Sequence, residues 1–172
     1  MRRFELIVNI STLLAALMLC ATLIRMWFPG ANHIIAPIGF GANTTRGIIG
    51  TSVAGLSNGG PGAIFYLSPS CRFCRESLPF YRALLGSFAN SDFSFSVVML
   101  EGRSAATEFI KANRLAGAVA IDPATLKHLN LRSTPRVLIH DSAGKIKRAW
   151  TGRLSAEKEA EVRAALNDLS ER

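Results

Sequence analysis

The chain has 172 residues, 49% of them hydrophobic, and a formal net charge of +8. That length fits one domain with an extension. The basic charge is dispersed, without a long run of one sign or an alternation of aromatic and basic residues, so the reading includes no nucleic-acid partner.

Part of the apolar excess sits at the N-terminus. Leu6 to Ile24 carry no formal charge, and Arg25, Met26, Trp27 and Phe28 follow. Roughly 20 mostly apolar residues cross a bilayer as a helix, and aromatic residues suit its interface. Residues 1–28 are therefore expected to be an uncleaved membrane anchor, in contact with lipid through residues 6–28. A cleaved signal peptide is the alternative, but the run exceeds the usual h-region of about 7–15 residues. Cys20 follows the large Leu19, which does not suit a lipid-attachment site, so it reads as a thiol within the span. Arg2 and Arg3 precede the span, and Arg25 is the nearest charge beyond it. The positive-inside bias then places the N-terminus in the cytoplasm and the rest outside. Residues 1–28 hold a net +2, so +6 remains beyond them.

Residues 29–61 are rich in Gly, Asn, Ser and Thr and read as a linker or N-terminal extension. Ala63 to Leu67 is a short apolar run between Gly-Gly-Pro-Gly and Ser68-Pro69, which predicts a buried strand. A helix is expected from Cys71 to about Phe88, with Leu78, Tyr81, Leu84, Leu85 and Phe88 at helical spacing and a kink at Pro79. Phe93 to Leu100 reads as a strand. Ser104 is placed to cap a helix through Asn113. Ala118 to Ile121 is a short strand, and Asp122-Pro123 is a cap and first-turn proline for a short helix to about His128.

Pro135 to His140 and Lys145 to Trp150 flank the turn Asp141-Ser-Ala-Gly144 and predict a hairpin. Ser155 starts a last helix to about Leu169, with Glu157 and Glu159 in its positive first turn. Early strands alternate with helices and the late pair is a hairpin. The expected class is α/β, a mixed sheet flanked by helices. Trp150 is expected in the core, and His128 and His140 at the surface.

The chemistry centres on Ser68-Pro-Ser-Cys71-Arg72-Phe73-Cys74-Arg75. Two cysteines separated by two residues follow a strand and open a helix. Unpaired N–H groups at a helix start favour an anion, and the thiolate is the nucleophile of disulfide exchange. Arg72 and Arg75 add positive charge. Cys71 is thus the expected attacking thiol and Cys74, one turn in, the resolving one. Phe73 between them is placed to touch a partner or to bury partly.

Other readings of the pair fit less well. A structural zinc site needs about four ligands, and His33, His128 and His140 are scattered. Covalent haem attachment needs a histidine after the second cysteine, where Arg75 stands. A plain cross-link over so short a loop adds little stability.

With these residues in view, the stretch from Ala63 to Ser170 resembles the thioredoxin superfamily, most closely its membrane-anchored bacterial branch of TlpA, ResA and MauD type. Phe65 to Pro79 looks like the active-site segment of MauD-like proteins, with Ser-Pro ahead of the first cysteine. Pro79 matches the helix-kinking proline. Ser133-Thr134-Pro135 looks like the cis-proline loop of the family, and Gly152 like the glycine beside its substrate groove.

The resemblance implies a thioredoxin-like domain over residues 62–172. In it Pro135 packs on the redox pair and the Thr134 backbone pairs with substrate; Arg72, Phe73, Arg75 and Pro79 modulate the site. It implies no metal and no cofactor beyond the Cys71–Cys74 disulfide. Its implied partners are a substrate protein with a disulfide or dithiol and a transmembrane electron donor, at the bacterial inner membrane with the catalytic domain facing the periplasm or cell exterior. The implied activity is protein disulfide reduction during maturation of cytochromes or other redox enzymes. A disulfide oxidase or isomerase of the same fold, or a redox-inert binding module, is the alternative.

There are departures from the pattern. Ser70 stands where many relatives have tryptophan, and Ser77 where TlpA- and ResA-type members often have glutamate. Glu76 lies about 100° away around the helix. The buried aspartate of thioredoxin has no counterpart.

Overall fold

The structure is a computed structural model and describes residues 47–56 and 60–170. The expected membrane anchor and Cys20 lie outside the described residues. Among the described residues no helix is long and apolar enough to cross a membrane.

Five strands form one mixed sheet in the order β3-β2-β1-β4-β5. They are β1 (Gly62–Leu67), β2 (Ser94–Met99), β3 (Ala118–Ile121), β4 (Arg136–His140) and β5 (Ile146–Thr151). β1, β2 and β3 run parallel, while β4 is antiparallel to both β1 and β5. The helices are α1 (Arg72–Glu76), α2 (Leu78–Ser87), α3 (Arg103–Ala112) and α4 (Ala156–Ser170), with a 3-10 helix over Pro123–Leu129. The mixed α/β class expected from the sequence is the class observed.

The central strands β1, β2 and β4 are buried along their whole length. That is why they read as nearly continuous apolar runs rather than as alternations. Their side chains still alternate between two faces. Phe65, Leu67, Val97 and Ile139 meet Cys74, Tyr81, Leu84, Val162 and Leu166 in one core. Ile64, Tyr66, Val98 and Leu138 meet Leu126, Leu129, Ile48 and Val53 in the other.

Residues 47–56 belong to this second layer, although their composition reads as linker. Ile48 and Val53 are buried, and Ser52 makes an antiparallel bridge to Lys145. Val53 N–H donates to Gly144 O at 2.9 Å. Gly144 has φ +72°, and a Cβ there would collide with Val53 O, so this turn needs glycine.

Several boundaries differ from expectation. The single kinked helix is two helices joined at Ser77. Pro79 lacks an N–H and cannot continue the ladder of α1, but at the second position of α2 its missing donor costs nothing. α3 starts before Ser104, because Gly102 at φ +110° turns the chain there. The short helix after Asp122 is of 3-10 type, and Asp122 caps it by accepting from Ala124 N–H at 2.8 Å.

His140 is fully buried rather than at the surface. On the central strand β4 it alternates onto the same face as Leu138. His128 is exposed, as expected. Trp150 is half-buried at the margin of the first core, and its indole N–H donates to Glu161 at 3.1 Å.

Candidate active site

The site lies at the C-terminal ends of β1 and β2. β1 delivers the loop Ser68–Ser70, and its hydrogen bonds fix its path. Cys71 N–H donates to Ser68 O at 3.1 Å. Ser68 Oγ donates to Glu101 at 2.6 Å and lies 3.0 Å from Ser70 Oγ. Arg75 donates to Pro69 O at 3.0 Å.

Cys71 is the N-cap of α1. Its Sγ accepts the backbone N–H of Cys74 at 3.1 Å. Cys71 is partly exposed, Cys74 is buried, and neither is in a disulfide in this structure. The Cys74 thiol is pushed up to about 12, first by burial and then by its hydrogen bond with Cys71. A hydrogen bond from the Thr134 side chain and one from the Ser68 backbone act the other way. The pair is therefore asymmetric: one accessible sulfur with a donor on it, and one protonated thiol behind it.

The Thr134–Pro135 peptide is cis, and Pro135 is buried. Through Thr134 this loop touches Cys74, so strand β4 and helix α1 bring the two expected halves of the site together. Gly152, at φ +80°, donates its N–H to Pro135 O at 2.8 Å.

Arg72 and Arg75 are occupied elsewhere. Arg72 pairs with Glu76 at 2.7 Å, and Arg75 holds the Pro69 carbonyl. Glu76 also pairs with Arg153 at 3.0 Å, and Arg72 first, then Arg153, holds its carboxyl below the usual range. Glu76 is thus an ion-pair partner rather than a poised base. Phe73 is 52% exposed. Pro79 lines a surface cleft with Glu76, Phe80, Arg153 and Leu154.

Four residues at this site carried no clear sequence signal. Tyr81 reads as one more apolar helix position, yet its ring packs on Phe65 at 4.6 Å and burial raises its phenol. Ser77 donates to Phe73 O at 2.8 Å across the helix break. Glu101 is tied to Ser68 by a contact between strand ends. Arg136 follows Pro135, is 2% exposed, and donates to Ser133 O at 3.2 Å and Ser133 Oγ at 3.1 Å. Among the described residues no group of three or more His, Cys, Asp or Glu side chains is arranged to hold a metal ion.

A five-stranded mixed sheet with a Cys-x-x-Cys pair heading a helix and a cis-proline loop against it defines a thioredoxin-like fold. No protein-family model matches the chain, and no curated protein matches it. Solved structures do. A Chlorobium tepidum protein described as the thiol:disulfide interchange protein DsbE superposes with a TM-score of 0.54 at 23% identity, over 65% of this chain and 82% of that one. A thiol-disulfide isomerase of Corynebacterium glutamicum gives 0.53 at 18% identity, over 67% and 84%. A thioredoxin family interchange protein of Chlorobium tepidum TLS gives 0.52 at 15% identity, over 65% and 81%. At these identities the likeness establishes the fold.

Proposed function

We propose that this chain is a thiol–disulfide oxidoreductase that reduces disulfides of substrate proteins outside the cytoplasm. The observation that carries the reading is the asymmetric pair: Cys71 Sγ accepting Cys74 N–H at 3.1 Å, with the Cys74 thiol itself buried and raised. The Cys71 thiolate attacks one sulfur of the substrate disulfide. A Cys71–substrate mixed disulfide forms, and the other substrate sulfur leaves as a thiolate and takes a proton. Cys74 then loses its proton and attacks Cys71 Sγ, releasing the second substrate thiol. Two electrons and two protons pass to the substrate, and Cys71–Cys74 becomes a disulfide.

The reducing direction has support in the site. Positive charge aimed at the attacking thiolate makes a pair oxidising. Here the charge of Arg72 is offset by Glu76, and Arg75, which keeps its charge, is drawn toward the Pro69 carbonyl by a hydrogen bond. Re-reduction then needs a donor of two electrons, and the anchor expected over residues 6–28 suits a membrane protein that carries them across the bilayer. Cytochromes or other redox enzymes under maturation are the substrates that the resemblance implies.

The test is a reduction potential measured on the full chain in dithiothreitol and glutathione buffers. A value near or below roughly −270 mV fits a reductase, and one near roughly −120 mV makes the protein an oxidant. A Cys74→Ser variant that captures no mixed disulfide through Cys71 would overturn the oxidoreductase reading itself. Sidedness is tested by thiol labelling of intact cells with Cys20 replaced. Labelling of Cys71 only after the inner membrane is permeabilised would overturn the outside placement.

A further inference from the structure

We infer that the surface around Cys71 selects substrate proteins that present an apolar residue flanked by carboxylates beside the disulfide. This rests on the oxidoreductase reading and names its substrate class. Four segments meet at the edge of the sheet that bears Cys71: residues 68–77, 100–103, 131–135 and 151–153. Parallel pairing of Leu67 with Met99 carries Ser68 and Leu100 to the same edge, and the Ser68–Glu101 bond ties the loops together. The Gly152–Pro135 bond does the same for the other two segments.

The charges in these segments are unequal. They hold Arg72, Arg75, Arg103, Arg132 and Arg153, no lysine, and two carboxylates, Glu76 and Glu101. A third carboxylate, Asp122, follows β3 at the same end and caps the 3-10 helix through Ala124 N–H. The first two are also partnered. Glu76 is shared by Arg72 and Arg153, and Glu101 accepts from Ser68. Arg75, Arg103 and Arg132 make no ion pair among the described residues. All five arginines are exposed. An exposed guanidinium is a fixed fork that reads a carboxylate with two parallel hydrogen bonds, which a lysine does not.

The same edge exposes apolar surface. Phe73 is 52% and Leu100 54% exposed, two of four large apolar side chains so exposed among the described residues. One stands between the cysteines and the other at the end of the neighbouring strand. Apolar contact supplies binding that is indifferent to charge, and the arginines supply orientation and approach rate. A basic substrate segment meets the same apolar surface with repulsion around it.

The experiment uses the reduced full chain in detergent and two peptides, each closed by one disulfide. Both share an apolar residue beside the disulfide. One is flanked by glutamates, the other by lysines. Hydroxyethyl disulfide is the uncharged control. Steering by surface charge predicts that the acidic peptide is reduced roughly tenfold faster at low salt, with the ratio falling toward one at high salt. An Arg103→Glu/Arg132→Glu variant loses most of that ratio. Phe73→Ser slows both peptides by a similar factor. Equal wild-type rates for the two peptides overturn the inference and leave the oxidoreductase reading standing. Equal rates together with binding of phosphatidylglycerol vesicles through Arg103 and Arg132 overturn it in favour of a lipid headgroup. No reaction with either peptide or with hydroxyethyl disulfide removes the oxidoreductase reading as well.

Discussion

The backbone N–H of Cys74 points at the sulfur of Cys71, 3.1 Å away, while the Cys74 thiol itself is buried. One residue thus serves twice. Its amide offers a donor to the attacking sulfur, and its side chain waits, protonated, for the second step. The five-residue helix α1 exists to make this possible, since a single helical turn places position four over position one.

The raised Cys74 thiol gives a prediction in alkylation and in stability. Cys71 is alkylated by iodoacetamide at neutral pH, and Cys74 in a Cys71→Ser variant reacts at least roughly a hundredfold more slowly, because the thiolate is the nucleophile. In that variant burial, the largest cause, still raises the Cys74 thiol, so its rate keeps rising above the ordinary 9.0. The sign for stability follows. The folded value lies above the ordinary 9.0, so the folded state holds the proton more tightly. This contribution is complete below pH 9 and is lost as pH rises toward about 12. Urea midpoints of the reduced chain should therefore fall above pH 9 more steeply than those of Cys74→Ala. Parallel curves for the two proteins would remove the burial argument.

Arg136 and Ser133 yield a second prediction. The guanidinium is buried, its donors go to the carbonyl and hydroxyl of Ser133, and no carboxylate pairs with it among the described residues. Its Nη1 has no partner among the described residues. A buried cation without a counter-ion costs folding free energy, so an apolar replacement of similar length relieves one cost while losing two hydrogen bonds. Arg136→Met should change stability by less than about 1 kcal/mol, while Arg136→Lys, which keeps the charge and loses the fork, destabilises by about 2 kcal/mol or more. Both loosen the loop that carries Thr134, and both should slow reduction of a peptide disulfide by roughly tenfold, the order of one misplaced group. Equilibrium denaturation and stopped-flow kinetics separate the two effects. An Arg136→Met protein with wild-type kinetics would show that the clamp is not what positions Thr134.

Much of this was legible in the residues, for a physical reason. β1 and β4 are apolar runs with turn residues at both ends, and the segment Ser68–Arg75 joins a strand to a helix, so local pattern and chemistry agree. Of the site residues that the pattern leaves unread, one depends on a contact across the sheet. Glu101 meets Ser68 only because β1 and β2 are parallel and in register. Arg136 and His140 carry polar side chains onto a buried face, against the tendency by which sequence is read. The break at Ser77 was hidden because one kinked helix and two abutting helices share the same apolar spacing. The partners of Arg72 and Arg75, Glu76 and Pro69 O, depend on rotamers that no sequence pattern encodes.

Residues 47–56 provide a third prediction. They look like linker because Gly, Ser and Thr make up half of them, yet Ile48 and Val53 close the second core. Ile48→Ala should destabilise the full chain by about 2–4 kcal/mol, the range for truncating a buried aliphatic side chain. Ile49→Ala, one residue on and 49% exposed, should cost less than about 0.5 kcal/mol. Urea denaturation of the two variants side by side is the check. Equal and small effects would return the segment to a linker.

His140 gives the last prediction. Its ring is fully buried on β4, with Nδ1 3.0 Å from Asp141 O and no partner for Nε2 among the described residues. Burial lowers its folded value below the ordinary 6.5, against the opposing pull of Asp141. A base with a lowered value stays neutral in the folded chain while the unfolded chain takes up a proton. The unfolded state therefore binds more protons below pH 6.5, and stability declines as pH falls through that point. His140→Leu removes the titration and fills a similar volume. The variant should lose less stability than the wild type between pH 7.5 and pH 5.5, whatever its absolute midpoint. Other groups titrate in this range in both proteins, so the difference between the two curves isolates His140. A wild-type curve that runs parallel to the variant's would mean the ring gains its proton as readily folded as unfolded, and would remove burial as the cause of its lowered value.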